Sequence, residues 1–164
     1  MKVILKESNI QGKGVYASTN IAKGEVVLEI DDSHVVTNPC KLTKEQNEYD
    51  CDYLQNGKVV LMQEPEKYIN HSCDPAVYIK TVAGVRKVIA MRNIKCGEEI
   101  VYDYSINGDN EGTFQCRCGS NKCRDVYQGN FFKLPIDLQI KYLPYLDDWF
   151  IKEHESEIEL LKQK

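Results

Sequence analysis

The sequence predicts a mainly β body followed by a helical C-terminal appendage. Three observations carry this expectation. The aliphatic residues change type at Leu134: residues 1–133 hold 14 Val and 10 Ile against 5 Leu, whereas residues 134–164 hold 6 Leu, 4 Ile and no Val. β-branched side chains suit a pleated surface, and Leu loses little freedom in a helix. Turn dipeptides punctuate the body at short intervals, Asn56-Gly57 and Ala83-Gly84 among them, as expected of short strands joined by hairpins. Beyond Leu134, the residues Leu146, Phe150, His154, Ile158 and Leu161 share one helical stripe.

The predicted strands, in order, are Val3–Glu7, Gly14–Ser18, Glu25–Ile30, His34–Thr37, Lys58–Gln63, Val77–Val82, Val85–Met91 and Ile100–Tyr104. Each is a short run rich in Val, Ile or Tyr bounded by turn formers. In the tail, Leu134-Pro135 opens a helix with Pro in its first turn, Pro144 ends it, and Asp147 is the N-cap of a second helix. His154 reads as a helix-face histidine at the edge of the core rather than a catalytic group.

Of the 164 residues, 42% are hydrophobic and 28% charged, enough apolar matter for one real core and against disorder. The net charge is −4. A nucleic-acid binder shows a basic excess, so no direct nucleic-acid binding is expected, and a Lys- or Arg-rich peptide is the better partner. No apolar run is long enough to span a membrane. Val3-Ile4-Leu5 is cut by Lys6 and Glu7, which is not a secretory leader. An intracellular protein is expected, cytoplasmic or nuclear, and the sequon Asn70-His71-Ser72 is read as chance.

Seven cysteines in a reducing compartment point to metal or free thiols. Cys116-Arg117-Cys118 and Cys123 can converge on one tetrahedral Zn²⁺. The polar neighbours Ser120, Asn121, Lys122 and Arg124 do not look like core packing. Spacing alone leaves the fourth ligand open among Cys40, Cys51, Cys73, Cys96 and the histidines.

Gly12-Lys13-Gly14-Val15-Tyr16-Ala17 matches the loose dinucleotide pattern G-x-G-x-x-G/A. That pattern needs a helix to follow at once inside a βαβ unit, and too few residues precede Gly24 to hold one. What survives is a glycine loop whose backbone can approach a ligand closely.

Two further segments decide the family. Tyr68-Ile69-Asn70-His71-Ser72-Cys73-Asp74-Pro75 resembles the R-F-x-N-H-S-C-x-P-N motif of SET-domain protein lysine methyltransferases, and Gly97-Glu98-Glu99-Ile100-Val101-Tyr102-Asp103-Tyr104 resembles their G-E-E-L-x-[YF]-D-Y motif. The glycine loop resembles their G-x-G-[VL]-[FY]-A, and Phe114 to Arg124 is similar to the post-SET zinc element C-x-C-x₄-C. All four stand in the family's order. Lys67 and Ala76 depart from the pattern, in place of Arg and Asn.

The resemblance implies a SET-domain fold, in which small β-sheets of the β-clip type surround a knot-like core, here with C-terminal helices added. It divides the chain into a SET domain (1–113, with a variable insert at about 38–66), a post-SET zinc element (114–126) and a helical extension (127–164). The implied reaction is methyl transfer from S-adenosylmethionine to a lysine amine of a protein such as a histone tail. Lys13, Gly14, Val15, Tyr16, Asn70, His71 and Arg117 would bind the cofactor. Cys73 would complete the Zn²⁺ site with Cys116, Cys118 and Cys123. Tyr104 would be catalytic, orienting the amine. Tyr102 would occupy the Phe/Tyr switch position, favouring mono- or dimethylation over trimethylation. Two other readings compete: a catalytically silent SET-like module that binds a peptide or partner, and a zinc-stabilised structural protein.

Overall fold

A computed structural model describes residues 2–37, 42 and 50–164. The strands are β1 (Val3–Glu7), β2 (Lys13–Ala17), β3 (Val26–Glu29), β4 (Cys51–Tyr53), β5 (Val59–Leu61), β6 (Asn70–His71), β7 (Val77–Val82), β8 (Val85–Ala90), β9 (Glu99–Tyr102), β10 (Asp109–Gln115) and β11 (Val126–Asn130). Three short helices follow, α1 (Ile136–Tyr142), α2 (Asp148–Glu153) and α3 (Glu155–Lys162).

The largest sheet has the order β1-β2-β9-β7-β8-β3, with β6 also on β9. Strand β9 is its centre. It runs antiparallel to β2 and parallel to β6 and β7, so that Tyr102 lies opposite both His71 and Val77. Ile100, Val101 and Tyr102 are accordingly all buried, the continuous apolar run of a strand covered on both faces. The amides of Ser72 and Ala76 donate to the carbonyls of Tyr102 and Val101, both at 2.9 Å. The segment from Asn70 to Val77 is thereby wrapped around the end of β9.

Both predicted hairpins form. Ala83 and Gly84 take left-handed backbone (φ 51° and 79°) between Val82 and Val85, the two-residue turn that matches strand twist. Asn56 and Gly57 (φ 60° and 69°) turn β4 into β5. His34–Thr37 is not a strand; Val35 makes only an isolated bridge to Val60. The ribbon of β10 and β11 was not foreseen, because β10 reads Asp-Asn-Glu-Gly-Thr-Phe-Gln and is exposed throughout. Cys40 and most of the expected insert before Asp50 lie outside the described residues.

The tail packs as its stripe requires. Tyr142, Leu146, Phe150, Ile158 and Leu161 are buried against the sheet's core. The expected second helix is broken in two at His154 (φ −117°, ψ 36°). There the imidazole lies against the rings of Phe150 and Phe132, 4.5 Å and 5.1 Å away. Asp147 stands at the N-cap of α2 but its carboxylate does not cap. It accepts instead from the amide and hydroxyl of Thr81, both at 2.7 Å, and so ties the tail to β7.

Arg86 is buried beside three acids, of which only Glu66 is itself buried. Its guanidinium donates to Asp32 at 2.8 and 2.7 Å and to Asp52 at 2.5 Å, joining β8, the chain after β3 and the β4–β5 hairpin. Glu66 is buried beside them, and burial, set against the attraction of Arg86 and reinforced by Asp32 and Asp52, raises its pKa to about 8. The folded chain therefore keeps a proton that the unfolded chain releases near pH 4.3, and stability falls as pH rises from about 4.3 to about 8. We expect Glu66→Gln to stabilise the protein by about 4 kcal/mol at pH 8 and by only about 1 kcal/mol at pH 5. Urea titrations at both pH values check this; an equal effect at the two would show that Glu66 is ionised in the fold.

Candidate active site

Strand β9 and the turn after it carry the two tyrosines. The Tyr102 side chain points inward and its hydroxyl donates to the carbonyl of Ile106. Tyr104 remains 38% exposed. Its hydroxyl donates to the carbonyl of Ile69 at 2.6 Å, and its amide donates to Nδ1 of His71 at 3.3 Å. Around them stands an aromatic cluster drawn from separate parts of the chain. The Tyr104 ring lies 5.3 Å from His71, 6.0 Å from Tyr102 and 6.1 Å from Tyr127, and Tyr127 stacks on Phe114 at 4.5 Å. Burial pushes the phenols of Tyr102 and Tyr104 well above their usual range, and that of Tyr127 up to about 12. All three are neutral hydrogen-bonding groups at any ordinary pH.

His71 is buried, and burial lowers its pKa to about 4 despite the nearby Asp103 carboxylate. The ring is neutral. Because Nδ1 accepts from the Tyr104 amide, the proton belongs on Nε2, which faces Sγ of Cys73 at 3.6 Å.

The glycine loop meets the same strand from the other side. The Asn70 amide nitrogen donates to the carbonyls of Gln11 (3.2 Å) and Lys13 (3.0 Å) and to the Glu99 carboxylate (2.9 Å). Glu99 also accepts from Ser8 at 2.8 Å and from the Tyr16 hydroxyl at 3.1 Å. A Cβ at position 14 would collide with the Glu99 carboxylate, which is why Gly stands there. Val15 and Tyr16 pair with β1 on one side and β9 on the other, and Val15 is buried in the core. Lys13 and Gly14 pair with β1 alone, so the open backbone edge beside Asn70 is at these two residues.

Cys73 follows β6, and Cys116 follows β10. With Cys118 and Cys123, their sulfur atoms all lie within 4.8 Å of one another, and Cys73 and Cys116 are 3.7 Å apart. Four thiolates at about 2.3 Å from a tetrahedral Zn²⁺ are spaced by about 3.8 Å, so the donor set fits that ion. Backbone amides of Arg124 and Asp125 donate to the sulfurs of Cys73 and Cys123, each at 3.4 Å. Although burial opposes it, neighbouring amides bring the Cys118 thiol down to about 7. Among the described residues, Cys51 and Cys96 are not in this cluster. Arg117 is exposed between the two cysteines.

One group the motifs contained but did not single out joins these parts. Asp103 has no solvent exposure. Its carboxylate accepts from Arg124 at 2.7 and 3.0 Å, from the Tyr142 hydroxyl at 3.0 Å and from the Ser105 amide at 3.1 Å. Burial works against its ionised form, but the Arg124 guanidinium outweighs this and holds the carboxyl below its usual range. Tyr127 and Tyr142 carry no local signal, since each lies outside every motif and looks like an ordinary strand or helix aromatic.

Comparison with known proteins shows what the chain resembles. The profile of the SET domain family matches residues 12–105. Human "Histone-lysine N-methyltransferase 2D" is 33% identical over 135 residues, covering 74% of this chain and 2% of that protein. "Histone-lysine N-methyltransferase trithorax" of Drosophila virilis is 32% identical over 131 residues, covering 71% and 3%. The chain thus spans only a few per cent of the length of these relatives. A crystal structure of an active polycomb repressive complex 2 in the stimulated state superposes with a TM-score of 0.53 at 25% identity, over 66% of this chain and 16% of that one. Among the described residues, no helix is long and apolar enough to cross a membrane.

The buried pair predicts a large penalty on neutralising one partner. Asp103→Asn leaves the Arg124 charge without its counterion and should cost about 3–5 kcal/mol of stability. Because the native carboxyl titrates low, its contribution is full above the unfolded pKa of about 3.9 and is lost as pH falls through the folded value. Denaturant unfolding of wild type and variant at pH 7 and pH 3 should show the gap narrowing in acid; a gap below 1 kcal/mol at pH 7 would contradict the account.

Proposed function

This chain belongs to the SET domain family, and from that premise we propose that it transfers a methyl group from S-adenosylmethionine to the side-chain amine of a lysine in a protein substrate. The observation that carries the reading is Tyr104: a partly exposed residue whose neutral phenol donates to Ile69 and whose backbone amide donates to His71. The names of the relatives, histone-lysine methyltransferases, support a histone tail as the substrate class. The chain's own charge of −4 suits such a basic peptide.

The open backbone edge at Lys13 and Gly14, the Asn70 amide and the backbone of His71 would hold the cofactor, and the family resemblance adds Arg117, which is exposed in the cysteine loop. The cofactor supplies an electrophilic methyl group on a sulfonium. The chain's residues must present a neutral amine to it. A free lysine has a pKa of about 10.4, so near pH 7.4 about one in 10³ is neutral, a cost of about 4 kcal/mol. An apolar, water-poor channel beside the cofactor's positive charge would disfavour the ammonium and lower that cost. Tyr104 has committed its proton to Ile69, so toward an amine its oxygen can only accept, and an amine N–H held there turns its lone pair in a defined direction. Tyr102 likewise spends its proton on Ile106 and occupies space in the same cluster. We read this as favouring mono- or dimethylation.

Residues 114–126 are read as a post-SET-type element holding one Zn²⁺ through Cys73, Cys116, Cys118 and Cys123. Zinc there would fasten the loop after β10 to the segment after β6. Elemental analysis should find one zinc per chain in wild type and loss of it in Cys73→Ser. Full zinc retention in the variant, or metal-free wild type, would remove the assignment.

Tyr104→Phe deletes one oxygen and keeps the ring. Turnover should fall by a factor on the order of 10², with cofactor affinity within a few-fold of wild type. Calorimetry with S-adenosylmethionine and mass spectrometry of a lysine-peptide array after incubation with labelled cofactor check this. Wild type should stop at mono- and dimethyl-lysine. Cofactor binding with no transfer to any peptide would instead identify a silent module, and an unchanged rate in Tyr104→Phe would make that residue structural.

A further inference from the structure

We infer that Tyr142, in the helical tail, and Arg124, after the last cysteine of the cluster, are positioning residues for Tyr104, acting through the carboxylate of Asp103. The kinetic arm of this inference rests on the methyl-transfer reading above; the structural arm does not.

A carboxylate offers about four lone-pair sites. In Asp103 each is taken: Oδ1 accepts from Arg124 Nη2 and the Ser105 amide, and Oδ2 from Arg124 Nη1 and the Tyr142 hydroxyl. The donors come from the cysteine loop, the turn after β9 and the helical tail. A saturated carboxylate at zero exposure cannot rotate without breaking a bond that no water can replace. Asp103 immediately precedes Tyr104. Its fixed side chain therefore sets the backbone from which the Tyr104 ring departs, and the Tyr104 amide meets Nδ1 of His71 at 3.3 Å on that same backbone. Arg124 further binds the Ser105 hydroxyl at 3.3 Å, and that hydroxyl donates to Gln128 in β11 at 2.6 Å. The turn holding Tyr104 is thus braced from three directions, and Tyr142 closes the one that comes from the tail. Tyr142 is itself fully buried, with its ring in the core formed with Leu146 and Phe150. A ring placed only for packing has no need of a hydroxyl, and this hydroxyl ends on the residue beside the reacting centre.

The test compares Tyr142→Phe, which keeps the ring, with Phe150→Leu, which loosens the same tail without touching Asp103. Hydrogen exchange read by mass spectrometry should be about tenfold faster in Tyr142→Phe for the peptide spanning residues 103–107, with the β7–β8 hairpin unchanged. Phe150→Leu should lower the melting temperature without that local change. In the same samples, methyl transfer per bound S-adenosylmethionine should fall about five- to tenfold in Tyr142→Phe at unchanged cofactor affinity. The ratio of first to second methylation rates should shift as well, a quantity that loss of folded protein alone does not move. Unaltered exchange at residues 103–107, or an equal local effect in Phe150→Leu, overturns the inference. Wild type that binds cofactor but methylates nothing overturns the methyl-transfer reading, and the exchange arm then decides the positioning link by itself.

Discussion

The carboxylate of Asp103 is a full negative charge held entirely out of water, and the arrangement of the molecule follows from what is needed to keep it there. Burying such a group without partners is prohibitive. Here one guanidinium, one hydroxyl and one backbone amide satisfy it together. Each partner arrives on a different stretch of chain, so the strand that bears the tyrosines, the loop that bears the cysteines and the tail become interdependent. Ionic burial of this kind adds little net stability over a hydrophobic substitute. Its return is geometric, since a bidentate Arg accepts only a narrow range of approach.

A second constraint acts at the other end of β9. Glu99 faces the glycine loop, and Ser8, Tyr16 and Asn70 all donate to it. Gly14 is there because the carboxylate occupies the place of a side chain. The open backbone edge at Lys13 is therefore a by-product of strand pairing that stops early, with Asn70 fastening the loop where β9 no longer does. Between these two anchored acids β9 holds Tyr102 in the core, and just past the second one the chain delivers Tyr104 to the surface. Between them too, neutral His71 links the Tyr104 amide to the sulfur of Cys73. A tyrosine site and a metal-type site are thus joined by a single imidazole.

Much of this was legible residue by residue. The strands around the hairpins at Asn56-Gly57 and Ala83-Gly84 were readable because turn chemistry is local. The buried stripe from Leu146 to Leu161 was readable because helical period is local too. Its break at His154 was not; there the ring packs on Phe132, which belongs to a different segment, as well as on Phe150. Strand β10 escaped because Phe114 is its one aromatic in an otherwise polar, exposed run, and the ring's stacking on Tyr127 appears only once β11 lies beside it. His34–Thr37 carried strand-like residues but found one bridge instead of a ladder.

By itself, then, the sequence determined the β body, the helical tail, the family motifs and the residue types of the site. Each of these is written in composition, in period or in short-range spacing. Spacing left the fourth cysteine open, the family resemblance named Cys73, and the fold brings it to the other three; only the tertiary structure decided which side of the glycine loop stays open, and how Asp103, Arg124 and Tyr142 meet. Those are contacts between residues tens of positions apart. Nothing in the local sequence distinguishes a tyrosine that fills a core from one whose hydroxyl ends on a buried carboxylate; the difference exists only once the chain has closed around the charge.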